Sequence, residues 1–550
     1  MLRAFWTWDP VSCITSNACC EPWAYRDNKW FFDKSVWQRM LRTMAECGFD
    51  ALILANTHPF PFMIDLSADY PESAVLDEAG LARYQGMHHW IFENALDYDI
   101  APYLFFSADR FPDKFAGAHK LESSVKQAPD IAVKYAHMCV RTLLENYPEL
   151  SGLFVSADGA NAGFVGQTVV DAMDAVRPDA PLYLCVNQAE PDAAVNKISR
   201  RGDRPVRYSV KYTADHLVDA NPDPLFTRWI EAVGAENVAA EFRVSNFEPW
   251  TSFSFDTVEG VLANLNRINC GGLSLLPLSV CDWPRTSDTY FKYQFQRDFV
   301  WYRVWAGSSV PQLLREGQPK WLLRNKRIIE GFQAGSRILE LLSLYIAGDK
   351  TDAWRPQFCC VFDHYLHKLH LLSIEDMLHI DDAPIFSGRD WWTEVTGDKV
   401  VHPAEYVKSG TPEDAYGPDE LIEELADLSE QAIASGEKGM RNNSGEKEIP
   451  GLTRDAFCMG RLGEFYVERL KAALAHARGE DTEALEHMNR AIGLYREIRG
   501  VDSSHRDDFM IVVGRDCVRM SWTAVVKALE AEYADASAGD YKSGSHYPIG

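Results

Sequence analysis

Carboxylates, amides and tryptophans recur at a few places in this chain, each directly after a short apolar run. They are Asp9, then Asn56 and His58, Asp109 and Arg110, Asp158, Asn187 and Glu190, Asp215 and His216, Glu248 and Trp250, and finally Asp282 and Trp283. The mix suits a carbohydrate, because carboxylates and amides hydrogen-bond hydroxyls while indole faces cover the apolar face of a sugar ring. Hydrolysis of a glycosidic bond also needs two carboxyl groups flanking it, about 5–5.5 Å apart for retention of configuration and about 6.5–9.5 Å for inversion.

Each residue also has a plainer use. Asp158, in Ala157-Asp158-Gly159, is either an acid or the cap of a following helix. Asp215, beside His216, either reacts or serves as a cap or ion-pair partner. Glu248, in Phe247-Glu248-Pro249-Trp250, stands between the same alternatives. Glu241 reads as a buried partner for Lys211 or Arg243. His58 reads as a hydrogen-bonding loop residue rather than a metal ligand. The expected catalytic set is Asp158, Asp215 and Glu248; the expected sugar-binding set is Asp9, His58, Asn187, Lys211, His216, Trp250, Asp282 and Trp283.

The apolar runs that must position these residues are 2–8, 51–55, 100–107, 153–157, 182–187, 206–212, 238–244 and 273–280. Near-continuous apolar runs are the mark of strands buried on both faces in a parallel sheet. Amphipathic stretches such as 34–47 and 129–147 lie between them. This rhythm predicts an α/β fold, a (β/α)8 barrel, whose active site lies at the carboxyl ends of its strands. A barrel uses about 250 residues, so a chain of 550 needs more. The expected division is a catalytic barrel over 1–310, a mixed, partly helical connection over 311–410, a helical C-terminal domain over 411–540 and a tail over 541–550. Within the last domain, 507–534 reads as one helix able to form a homodimer interface.

A net charge of −25 argues against nucleic acid or an anionic membrane surface as partner. No apolar stretch reaches the roughly 20 residues that span a bilayer. With the first run starting at Leu2 there is no room for a signal peptide, so a cytoplasmic location is expected. The 12 cysteines are scattered through apolar segments, as expected of buried thiols. The first run has no histidine pair of the kind a metal hydrolase uses. Gly271 and Gly272 precede the eighth run, the wrong end for a phosphate site. No metal and no cofactor are expected; the expected partner is an oligosaccharide.

Three motifs go further: Lys211-Tyr212, Asn221-Pro222-Asp223-Pro224-Leu225-Phe226 and Glu241-Phe242-Arg243-Val244-Ser245. Together with 147–152 and Asp158-Gly159, they resemble the α-glucuronidases of glycoside hydrolase family 67 over residues 140–310. The resemblance implies an inverting, exo-acting hydrolase that releases a terminal uronic acid. In it Asp158 takes the place of the general acid, Asp215 or Glu248 activates water from the opposite face, and Lys211 matches a lysine that binds the uronate. This chain departs from the pattern in three ways. Asp158 stands where the family has glutamate, retracting the acid by about 1 Å. The alignment slips by one residue at Asp215/His216 and at Phe247/Glu248. Ser156 and Asn187 fall where the family carries basic residues. The alternatives are an inverting sialidase-like barrel using Asp9 and a histidine, and a carbohydrate-binding barrel without catalysis.

Overall fold

The computed structural model describes residues 1–8, 25–121, 129–157, 162–186, 189–192, 195, 206–213, 216–244, 247–252, 254–278, 283–286, 291–307, 326–347, 354–363, 368–380, 392–393, 396–412, 414–440, 448–502, 508–513 and 516–549. Its eight N-terminal strands are β1 (Leu2–Trp8), β2 (Ala51–Ala55), β3 (Ala101–Ser107), β4 (Gly152–Ser156), β5 (Leu182–Cys185), β6 (Val206–Lys211), β7 (Val238–Arg243) and β8 (Gly272–Leu276). They form a closed parallel barrel in sequence order, β8 returning to β1 with Leu2 opposite Gly272. Each predicted run thus carries one strand.

Alternation along each strand separates two cores. Outward residues such as Leu52, Leu104, Val155 and Phe242 pack under the helices. Inward residues, among them Ala4, Trp6, Ile53, Tyr103, Phe154, Tyr183 and Ala239, fill the bore. The rings come mostly from β1, β3, β4 and β5: Phe154 stacks on Tyr183 with centroids 4.4 Å apart, and Tyr103 meets Phe154 edge-on at 5.4 Å. A Cβ on Gly152 would come within 2.8 Å of the Tyr103 ring and strike the Pro181 carbonyl, so glycine is what lets this aromatic plug form. The longer barrel helices are α1 (Lys34–Cys47), α2 (Glu78–Asp97), α3 (Asp130–Asn146), α4 (Pro224–Val233) and α5 (Phe255–Arg267). Asp33, Asp77 and Ser254 cap α1, α2 and α5, and Gly48 ends α1 at φ +100°.

The C-terminal region is built on α6 (Lys326–Ala347), α7 (Pro418–Met440), α8 (Glu448–Ala477), α9 (Asp481–Asp502) and α10 (Trp522–Ser537). It also holds strands, β9 (Trp354–Arg355), β10 (Cys360–Asp363), β11 (Lys368–Leu371), β12 (Lys399–Val400), β13 (Ala415–Tyr416), β14 (Asp508–Val513), β15 (Asp516–Ser521) and β16 (Pro548–Ile549). Two expectations change here. The stretch read as one helix over 507–534 is a β14–β15 hairpin followed by α10, because its first part is rich in β-branched and apolar residues. The buried face of α10, with Val525, Val526 and Leu529, is used inside the chain, and Lys527, Glu530 and Ala531 face outward. The residues read as a tail contribute β16, which pairs with β11 through Leu369 and Ile549.

The seven cysteines whose side chains are described are free and buried. No helix among the described residues is long and apolar enough to cross a membrane.

Truncation after Asp540 removes β16 and the buried Tyr547 and Ile549. We expect it to cost about 2–4 kcal/mol, visible as a lowered midpoint in urea denaturation; an unchanged midpoint would mean that these residues are a tail after all.

Candidate active site at the carboxyl ends of the strands

On β6 and β7 the inward positions are Arg207, Ser209 and Lys211, and Ala239, Glu241 and Arg243, since Tyr208, Val210 and Phe242 belong to the outer core. Glu241 is the single carboxylate borne on the eight barrel strands. The register sets it beside Lys211 on one side and Ser274 on the other. Ser209 Oγ donates to Glu241 Oε2 at 3.3 Å. Lys211 and Arg243 end their strands half-buried, so the inner face of β6 and β7 carries more positive than negative charge within a strongly acidic chain. The inner faces of β1 and β3 carry aromatic rings: Trp6 lies 5.9 Å from Trp8 and 5.1 Å from Phe105. Cations, one carboxylate and an aromatic wall together suit a ligand with an anionic group, hydroxyls and an apolar face.

Of the sequence candidates, Lys211 is on this inner face. Asp9, Asp158, Asn187, Asp215 and Asp282 lie outside the described residues. Four others are buried and have partners within the chain. His58 is buried against Phe60 and Tyr135, its Nε2 2.9 Å from the Tyr135 hydroxyl, and burial pushes its pKa down to about 3, keeping the ring neutral. His216 is also buried, and Arg355 Nη1 donates to its Nε2 at 2.9 Å. Guanidinium only donates, so this ring is neutral with its proton on Nδ1. Trp250 is fully buried, stacked on Trp522 at 5.3 Å. Trp283 donates its N–H to Thr7 Oγ1 at 2.7 Å, behind β1 rather than in the bore. A buried ring already covered on its face offers a sugar nothing to stack on.

Glu248, in the loop between β7 and α5, is nearly buried at 9% exposure. Its carbonyl accepts from Gln357 Nε2 at 3.0 Å. Further along the loop, Thr251 N and Oγ1 both donate to Asp455 Oδ2, at 3.2 and 3.3 Å. Ser254 N donates to Glu340 Oε1 at 3.2 Å and Phe255 N to Gln333 Oε1 at 2.7 Å. All four acceptor or donor side chains come from the C-terminal region. The 355–357 segment is itself fixed, because Tyr466 donates to Pro356 O at 2.7 Å and Tyr495 to Gln357 O at 2.9 Å. Arg454 sits between Asp455, at 3.1 Å, and Asp502, at 3.5 Å. Burial outweighs that cation and raises both carboxyls, Asp502 to about 7. Burial likewise lifts Glu340 to about 7. The clamp residues carry no local signature in the sequence, whereas an acid set inside the seventh apolar run did mark Glu241.

Among solved structures the chain is similar to a GH138 enzyme targeting pectin rhamnogalacturonan II. The TM-score is 0.78 at 17% identity, and the match covers 97% of this chain and 67% of that one. It is more weakly similar to CpGH84B, with a TM-score of 0.42, 9% identity and coverage of 90% and 74%. For a β-mannanase from the blue mussel Mytilus edulis the values are 0.35, 10%, 55% and 90%. No protein-family model and no curated protein sequence matches the chain. The first likeness establishes the barrel with its helical C-terminal region as a fold already seen.

Trp250→Ala should cost about 3–5 kcal/mol in urea denaturation; a changed KM at unchanged stability would instead make Trp250 a sugar platform. A second expectation concerns pH. A carboxyl whose folded pKa lies above its unfolded 3.8 holds its proton more tightly in the folded protein. Its contribution therefore falls as pH rises from about 4 to about 7. Relative to wild type, Asp502→Asn should gain stability at pH 8 and gain none at pH 4, read as paired denaturation midpoints; equal shifts at both would contradict the assignment.

Proposed function

We propose that this protein is a glycoside hydrolase that removes a terminal acidic sugar, a uronic acid, from an oligosaccharide. The observation that carries the reading is the inner face of β6 and β7, where Lys211 and Arg243 gather at the strand ends beside Glu241 in a chain of net charge −25. A sugar carboxylate can accept charge-assisted hydrogen bonds from such cations, and a neutral sugar cannot. The barrel shared with a GH138 enzyme targeting a pectic polysaccharide supports carbohydrate chemistry in general. The family 67 motifs support the sugar class and the order of acids along the chain; the structural likeness lies with GH138, so they are not evidence of membership in family 67.

In the proposed inverting mechanism Asp158 protonates the glycosidic oxygen as the bond from the anomeric carbon breaks. Asp215 or Glu248 takes a proton from the water that attacks from the opposite face. Lys211 holds the uronate and so fixes the ring between the two acids. Gln357 and Asp455 keep the Glu248 loop in place during this step.

The test is mass spectrometry of the monosaccharides released from uronic-acid oligosaccharides and sialosides, with wild type beside Asp158→Asn and Asp9→Asn. The expected result is uronic acid from wild type, lowered by about 10²–10⁴-fold in Asp158→Asn. Full activity of Asp158→Asn excludes it as the acid. Sialic acid as product, with Asp9 essential, points to the sialidase-like mechanism, and binding without turnover makes the protein a carbohydrate-binding barrel.

A further inference from the structure

Two polar groups inside the bore have no hydrogen-bond partner although both are buried. Trp6, 4% exposed, turns its indole N–H to no acceptor, and the hydroxyl of Ser274, 0% exposed, has neither donor nor acceptor. Buried N–H and O–H groups are nearly always paired, and leaving one unpaired costs about 1–3 kcal/mol. Both residues lie on the inner face of the barrel. Ser274 is the β8 register neighbour of Glu241, and Ala4, two residues before Trp6, is the β1 neighbour of Ser274. An N–H, a hydroxyl and a carboxylate therefore lie on the inner faces of three consecutive strands, β1, β8 and β7, next to the strand that ends in Lys211.

We infer that Trp6, Ser274 and Glu241 form a hydroxyl-reading subsite at the mouth of the bore, level with the end of β6, which holds the ring of the sugar whose carboxylate Lys211 and Arg243 take. The inference rests on the acidic-sugar reading and refines it. Trp6 N–H can only donate, so it needs a ring or hydroxyl oxygen. Glu241 only accepts when ionised, so it needs a hydroxyl hydrogen; Ser274 does either. Adjacent hydroxyls on one pyranose ring meet all three demands at once. The class of ligand is a hexuronic acid with its ring hydroxyls free, which excludes esterified or neutral rings on one count and substituted rings on the other. The two unpaired groups are thus a cost that a bound sugar ring would remove.

The experiment is isothermal titration of free galacturonic and glucuronic acid into the full-length protein, with galactose and glucose as the neutral counterparts. Wild type is compared with Ser274→Ala and Glu241→Gln. Wild type should bind at least one acid about tenfold more tightly than its neutral counterpart. Ser274→Ala should weaken that binding about 2–12-fold, the range of one neutral hydrogen bond, and Glu241→Gln about 10–150-fold, the range of a charged one. Ser274→Ala deletes a hydroxyl that pairs with nothing in the empty protein, so its denaturation midpoint should hold or rise. A weakened ligand at undiminished stability is what a purely structural serine would not give. If Glu241→Gln unfolds, the Ser274→Ala result stands alone. Unchanged affinity in Ser274→Ala, equal affinity of acid and neutral sugar, or no binding of any of the four sugars would overturn the subsite. Binding that responds to both variants without any turnover would leave the subsite standing and defeat the hydrolase reading alone.

Discussion

The constraint on which this molecule turns is that buried backbone groups must be paired. In the described part of the segment after β7, several of them find their partners in the C-terminal region. Its Glu248 carbonyl and the amides of Thr251, Ser254 and Phe255 are met by Gln357, Asp455, Glu340 and Gln333. On the neighbouring β6 loop, Arg355 fixes His216 in the same way. Each lost partner would strand a group at about 1–3 kcal/mol. The C-terminal region is therefore part of the site's construction: two of the loops at the carboxyl ends of the strands take their shape from it, and Tyr466 and Tyr495 transmit the rigidity of α8 and α9 to the clamp.

Charge follows a similar division. The acidic excess of the chain is spread over its surface, while Lys211 and Arg243 are held at the inner rim with Glu241 between strands. A long-range field that repels anions would slow an acidic ligand's approach, but screening over about 8–10 Å at ordinary ionic strength limits it. Within the bore, paired cations near low-dielectric aromatic walls act at short range and are screened much less. In the proposed reading, selectivity for an anionic sugar is thus a local property.

The barrel was legible because parallel strands buried on both faces write themselves as apolar runs, and the eight runs each carry a strand. The C-terminal region was less so. The 508–521 hairpin was hidden in a stretch dense enough in apolar residues to pass for a helix, and a two-residue strand such as β16 has no period to read. Side-chain direction was the other loss. Trp8 and Trp283 are both tryptophans next to strand ends, yet Trp8 lies at the mouth of the bore and Trp283 is bonded to Thr7 behind the strand. Trp250 is one residue from the clamp at Thr251 and is claimed by Trp522, which lies more than 250 residues further along the chain. Residue type named the chemistry of these positions; only the three-dimensional pairing decided who used it.

The most direct test of the account is a crystal structure of the full-length protein with a free hexuronic acid bound. The account predicts one sugar in the mouth of the barrel, its carboxylate within hydrogen-bond distance of Lys211 or Arg243 and its ring against the Trp6 wall. A sugar ring turned the other way, with its carboxylate toward solvent, or one bound only on the helical C-terminal region, would contradict it.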